Sequence, residues 1–177
     1  SLGAFIGGSI TNSFVDGGVV TSTGNSVGGL VGRNFAGEIV NSYVLNADVT
    51  GNGQVGGLVG YNAVANNLSS LVAGDVRGRI IGSYVNGGIV KSNGDGQCIG
   101  IGGLVGYNYG ANIGNSAVTD DISVTNVTVD GGSASQVGGL VGGNAGGLTS
   151  SSTTYSGYGV ISNSLVSNGT VSSLGSE

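Results

Sequence analysis

The 177-residue sequence predicts an all-β protein, a parallel β-helix of about five coils with three short strands per coil. Three observations predict it. The composition disfavours helices, an eight-residue motif recurs five times, and apolar residues after each copy fall into columns of matching type.

Composition sets the class. Gly supplies 40 residues, Pro, Met, Trp and His none, and charged residues only 7%. Residues that favour helices are scarce, whereas Val, Ile, Thr and Tyr are plentiful between glycines and asparagines. The hydrophobic share of 38% over this length suffices for one substantial core.

The octamer is written "VGGLVGRN" from Val27, "VGGLVGYN" from Val55, "IGGLVGYN" from Ile101, "VGGLVGGN" from Val137, and in decayed form "LGAFIGGS" from Leu2. Spacings of roughly 20–50 residues mark solenoids and propellers. A propeller blade needs four antiparallel strands, whereas here three short segments repeat with like residues aligned, as in parallel coils stacked in register. The prediction is therefore a single solenoid domain over residues 1–177, with coils starting near 2, 27, 55, 101 and 137.

The second segment is a ladder: "ITNSFV" from Ile10, "IVNSYV" from Ile39, "IIGSYV" from Ile80, "IGNSAV" from Ile113 and "ISNSLV" from Ile161. Its Asn column (Asn12, Asn41, Asn115, Asn163) suits a corner, because Asn tolerates left-handed backbone, and its amides can bond along the axis. The Ser column (Ser13, Ser42, Ser83, Ser116, Ser164) shares parity with Val15, Val44, Val85, Val118 and Val166, so both should face inward. Phe14, Tyr43 and Tyr84 then project outward as an aromatic stack, continued less well by Ala117 and Leu165. The third segment is a single Val ten residues after each Ile (Val20, Val49, Val90, Val171), with Ile122 or Val124 taking that place in the fourth copy.

The octamer itself leaves two readings open. Val27, Gly29 and Val31 share one strand face and Leu30 the other, yet both stay apolar in every copy. Either Phe5, Leu30, Leu58, Leu104 and Leu140 form an outward apolar stripe that needs a cover, or the Gly-Gly pair makes a bulge that admits Val27 and Leu30 together to the core. Two long connections, "AVANNLSSLVAGDVRGR" from Ala63 and "AGGLTSSSTTYSGYGV" from Ala145, leave from the same corner two coils apart and serve either as display loops or as that cover.

"VGGLVGYN", followed by "IVNSY" and a Gly-rich return, resembles the GLUG motif, a repeat of bacterial and archaeal surface proteins. Those proteins include large adhesins and the N-terminal regions of some immunoglobulin-A-cleaving metallopeptidases. The resemblance extends over nearly the whole chain. It implies an extracellular or cell-surface location and an adhesive, non-catalytic role. Without His the chain contains no HExxH, so it cannot carry the chemistry of the peptidase relatives.

The residues themselves point the same way. No catalytic residues, metal ligands or cofactor are assigned. The best carboxylate cluster, Asp120, Asp121 and Asp130, reads more simply as an exposed turn, and a Ser/His/Asp triad is ruled out. The octamer's glycines precede Leu-Val without a phosphate-binding Lys and serve strand packing. A net charge of −5 with no basic run disfavours nucleic acid, and no apolar run is long enough to insert into a membrane.

The expected function is a structural and adhesive module, its ends uncapped and its partners adjacent repeats or neighbouring copies end to end. The chain is thus either an excerpt of a larger surface protein, which is preferred, or a subunit of a filament. The alternative is a carbohydrate-binding or carbohydrate-active β-helix in which Tyr43, Tyr84, Tyr155, Tyr158, Arg77 and Arg79 contact glycans or other surface proteins. An ice-binding solenoid is a minor alternative, because no regular Thr array persists. Asn67, Asn126 and Asn168 lie in sequons, which matter only where the source glycosylates.

Overall fold

Parallel pairing joins every neighbouring pair of strands in the computed structural model, which describes residues 7–64, 77–93, 99–114, 122–146 and 159–174. Among these residues all regular elements are strands, gathered into five sheets. Each sheet forms one wall of a solenoid.

In coil order, wall A comprises Ser26–Gly28, Gln54–Gly56, Gly100–Gly102 and Val137–Gly138. Wall B comprises Val31–Phe35, Val59–Ala63, Val105–Tyr109 and Val141–Ala145. Wall C holds Ser9–Thr11, Glu38–Val40, Arg79–Ile81, Asn112–Ile113 and Val160–Ile161. Wall D holds Phe14–Asp16, Tyr43–Leu45, Tyr84–Asn86, Ile122–Thr125 and Ser164–Ser167. Wall E holds Val19–Thr21, Asp48–Gly51, Ile89–Ser92, Thr128–Asp130 and Thr170–Ser172. The parallel β-helix is thus the fold, but a complete coil has five strands rather than the expected three.

Two corners explain the difference. The hexamer ladder breaks at its Asn column, where Asn12, Asn41 and Asn163 have φ of 51°, 49° and 47° and Gly82 of 54°. An L-residue pays for this left-handed backbone unless it is Gly or a short polar residue. The Ser that follows closes the corner. Ser42 Oγ donates to the Val40 carbonyl (2.9 Å) and accepts the Ser13 N–H (3.2 Å); Ser83 Oγ donates to the Ile81 carbonyl (2.9 Å) and accepts the Ser42 N–H (3.1 Å). Ser42 and Ser83 are therefore fully buried yet satisfied, whereas their counterparts in the outer coils are more open.

The octamer breaks at its second Gly and Leu. Leu58 and Leu104 are fully buried in the core with Val27, Val55 and Ile101, and Leu30 and Leu140 pack against them. The Leu column is thus no outward stripe. Its turn is a corner between two walls, with the Leu58 carbonyl accepting both the Leu30 and Val31 N–H groups at 3.1 and 3.0 Å, and Leu104 repeating the pattern. Phe5 lies outside the described residues.

The same corner accounts for the recurring Gly-Gly. A Cβ on Gly28 would sit 2.2 Å from the Val31 carbonyl oxygen, because walls A and B approach through bare backbone. A Cβ on Gly57 would lie 2.2 Å from the Gly103 oxygen and 3.0 Å from Val85 Cγ1. The second glycine therefore makes room for the inward Val of wall D.

The fourth copy departs from the expected register. Ile122, Ser123 and Val124 occupy wall D, with Ser123 beside Tyr84 and Leu165, and Val124 beside Val85 and Val166. The columns assigned to Ser116, Ala117 and Val118 are thus filled by a later segment, and those three residues lie outside the described residues, as does Asn115. The wall E position goes to Val129, paired with Val90 and Val171, and not to Ile122 or Val124. An apolar Ile-x-Val resumes the parity of Ser-x-Val, so the wall closes after the intervening segment.

Candidate functional surfaces

Inside the corner between walls B and C, the last residue of each octamer forms a continuous amide ladder. Asn34 Nδ2 donates to Asn62 Oδ1 (2.8 Å), Asn62 Nδ2 to Asn108 Oδ1 (2.9 Å) and Asn108 Nδ2 to Asn144 Oδ1 (2.9 Å). Side bonds from Asn34 to Gly37, Asn108 to Ala111 and Asn144 to Gly159 tie the ladder to wall C. Asn62 and Asn108 are fully buried. Each amide is held on both sides, so a buried polar column that would otherwise be costly ties successive coils together.

Two aromatic surfaces lie on different walls. On wall D, the rings of Phe14, Tyr43 and Tyr84 stack at centroid separations of 5.2 and 4.8 Å, nearly parallel at 10° and 9°. Strand pairing at about 4.8 Å puts successive rings within stacking distance. Ser123 follows Tyr84 in the column and ends the stack.

Wall B carries the second surface, which the sequence reading did not single out. Tyr61 sits at its centre, edge-on to Phe35 at 5.7 Å and stacked with Tyr107 and Tyr109 at 6.1 and 6.5 Å. The Arg33 guanidinium lies over the Phe35 and Tyr61 rings at 4.7 and 5.4 Å. Burial pushes the Tyr61 hydroxyl's pKa up; Tyr109 and Tyr107 add to the rise and Arg33 opposes it. The signal was present as alternation: "RNF" and "YNY" place a large or cationic residue on either side of the buried Asn, and "YNA" places one before it.

The remaining expected contact residues scatter. Arg79 forms an ion pair with Glu38 along wall C. Arg77 precedes the Arg79–Ile81 strand and is engaged in interactions of its own. Tyr155 and Tyr158 lie outside the described residues, as does most of each long connection. Tyr43 and Tyr84 are thus brought together, whereas Arg79 is on another wall. Among the described residues no three His, Cys, Asp or Glu gather to hold a metal ion, and no helix is long and apolar enough to cross a membrane.

These features define a parallel β-solenoid with a buried Asn spine. The model of the GLUG motif matches twice in it, at residues 23–50 and 97–125. A protein of Evansella cellulosilytica named as a Gly-rich membrane protein is 47% identical over 57 residues, 31% of this chain and 7% of that protein. A crystal structure described as an immunoglobulin A1 protease from Bacteroides ovatus is 23% identical, with a TM-score of 0.46 over 93% of this chain and 40% of that one. The chain therefore spans a small part of the first and less than half of the second.

Proposed function

We propose that the chain is a non-catalytic structural and adhesive segment of a cell-surface protein, a stiff rod that holds binding elements away from the cell. The observation that carries this reading is the unbroken axial bonding: five parallel sheets together with an amide ladder running from Asn34 to Asn144. Bonds along the axis resist shear between coils better than side-chain packing alone. The GLUG repeat and the relative named as a membrane protein support a surface location. Antibody raised against this segment should label intact, unpermeabilised source cells; labelling only after permeabilisation overturns the surface assignment.

In the fifth coil the inward side chains Ile161, Val166 and Val171 are exposed, unlike their buried counterparts Ile80, Val85 and Val90. A parallel coil of the same kind, from the same polypeptide or from a second copy, would cover them. Electron microscopy of the isolated chain tests the second source: filaments at high concentration support stacking of copies, and dispersed particles overturn it.

A further inference from the structure

Charge is unevenly distributed around the coil. Among the described residues, walls B and C and their shared corner hold Arg33, Arg77 and Arg79 against the single acid Glu38, while walls D and E hold Asp16, Asp48 and Asp130 with Lys91. The whole chain is acidic, at −5, so an exposed arginine beside aromatic rings is a local departure from its charge. Arg79 is committed to Glu38, whereas Arg33 makes no ion pair among the described residues and is exposed.

Arg33 is also held ready. Its guanidinium rests on two ring faces, which limits its motion and leaves its edge donors free for a planar anion. The rings beside it are held by one another across three coils, and beneath them Ala63 is fully buried. The result is a cluster of half-buried rings with one exposed cation at its margin. Such a surface loses little conformational freedom on binding.

We propose that the outer face of wall B binds an acidic glycan, with Arg33 engaging a carboxylate or sulfate and Tyr61, Tyr107 and Tyr109 contacting the sugar rings. A pyranose offers C–H faces to aromatic rings and hydroxyls to the O–H groups of Tyr61 and Tyr107, matching this mixture of edges and polar tips. A protein partner is less well matched: the aromatic area spans only three coils, about 10 Å along the axis, short of what a stable protein interface covers. The site goes beyond the rod reading, since a rod without ligand would still stand and a glycan-binding solenoid need not lie at the cell surface.

Calorimetric titration of the purified chain tests it, with polygalacturonate as the carboxylate probe, chondroitin sulfate as the sulfate probe and dextran as the neutral one. Saturable binding to at least one acidic polymer and none to dextran is expected, and the polymer that binds tells carboxylate from sulfate. Arg33→Gln should weaken binding at least tenfold, as should Tyr107→Ser combined with Tyr109→Ser. Tyr43→Ser with Tyr84→Ser, on wall D, should bind as the parent does. If the wall B tyrosine variant loses its circular dichroism, Arg33→Gln and Arg33→Glu carry the test, because that side chain is exposed. The proposal is overturned by no binding to either acidic polymer, by equal binding of dextran, by unchanged affinity in Arg33→Gln, or by equal weakening in the wall D variant. Equal, Arg33-dependent binding of poly-glutamate also overturns it, in favour of an acidic polypeptide.

Discussion

Two columns of asparagine run along this solenoid, and the same side chain does different work in each. The corner column of Asn12, Asn41 and Asn163 is exposed and used for its backbone, which is left-handed. The octamer column of Asn34, Asn62, Asn108 and Asn144 is used for its amide, which bonds each coil to the next. Sequence reasoning expected the amide ladder in the first column. Burial decides the matter: in water an amide bond between coils competes with solvent, whereas inside the B–C corner an unpaired amide would forfeit its hydrogen bonds altogether. Gly82 shows the point from the other side, since it fills the corner column without an amide and keeps the same backbone.

Replacing the amide with a carboxylate should separate the columns most sharply. In Asn62→Asp an acceptor faces Asn108 Oδ1 inside the protein, and a loss of about 3–5 kcal/mol in urea melts is expected at neutral pH, as for an uncompensated buried charge. Desolvation raises that carboxyl's folded pKa, so the penalty is absent below the ordinary carboxylate range and grows as pH rises through the folded value. Asn41→Asp, at the exposed corner, should show neither the loss nor the pH dependence.

Asn62→Leu removes the amide without adding charge. It leaves Asn108 Oδ1 without its donor, and about 2–4 kcal/mol should be lost by the same measurement. At the corner, Asn41→Ala should cost about 1 kcal/mol through its left-handed backbone, and Asn41→Gly less than about 0.5 kcal/mol. Equal costs for Asn41→Ala and Asn41→Gly would mean that the corner depends on the amide after all.

Ala36 offers the opposite sign. It holds φ of 52° at the corner after wall B, where Gly110 takes the same place two coils on with φ of 60°. Ala36→Gly should therefore raise stability, by about 0.5–1 kcal/mol, since the strain relieved exceeds the entropy lost. The smallest effect concerns the wall B rings. Because burial raises the Tyr61 pKa in the folded chain, the native state holds that proton longer, and stability falls as pH rises from about 10 upward. Tyr61→Phe should flatten that alkaline decline in pH-dependent melts.

The two aromatic surfaces divide along similar lines. Phe14, Tyr43 and Tyr84 could be read directly, because each follows the ladder Ser and stacks upon its counterpart. Tyr61 meets partners in two columns, Tyr107 at its own register and Tyr109 two residues on, so no single alignment of repeats exposes the cluster. Arg33 was legible as a charge but not as a ring partner, since its contact with Phe35 runs along the strand face and its contact with Tyr61 runs across coils.

What the sequence by itself determined is what repeats and stereochemistry encode locally: an all-β chain of stacked parallel coils, left-handed corners at Asn12, Asn41 and Asn163, and inward Ser42 and Ser83. Each follows from parity within a few residues, or from the φ that Asn tolerates. Only the tertiary structure decided the direction of the Leu column, the column that carries the amide ladder, the segment that fills wall D in the fourth copy, and the cluster around Tyr61. These depend on distances across and between coils. Leu58 turns inward because walls A and B meet through the bare backbone of Gly56, and the next glycine, Gly57, is fixed by the Gly103 carbonyl of the next coil and by Val85 of wall D, 2.2 and 3.0 Å from where its Cβ would stand. No pattern confined to one strand contains those separations.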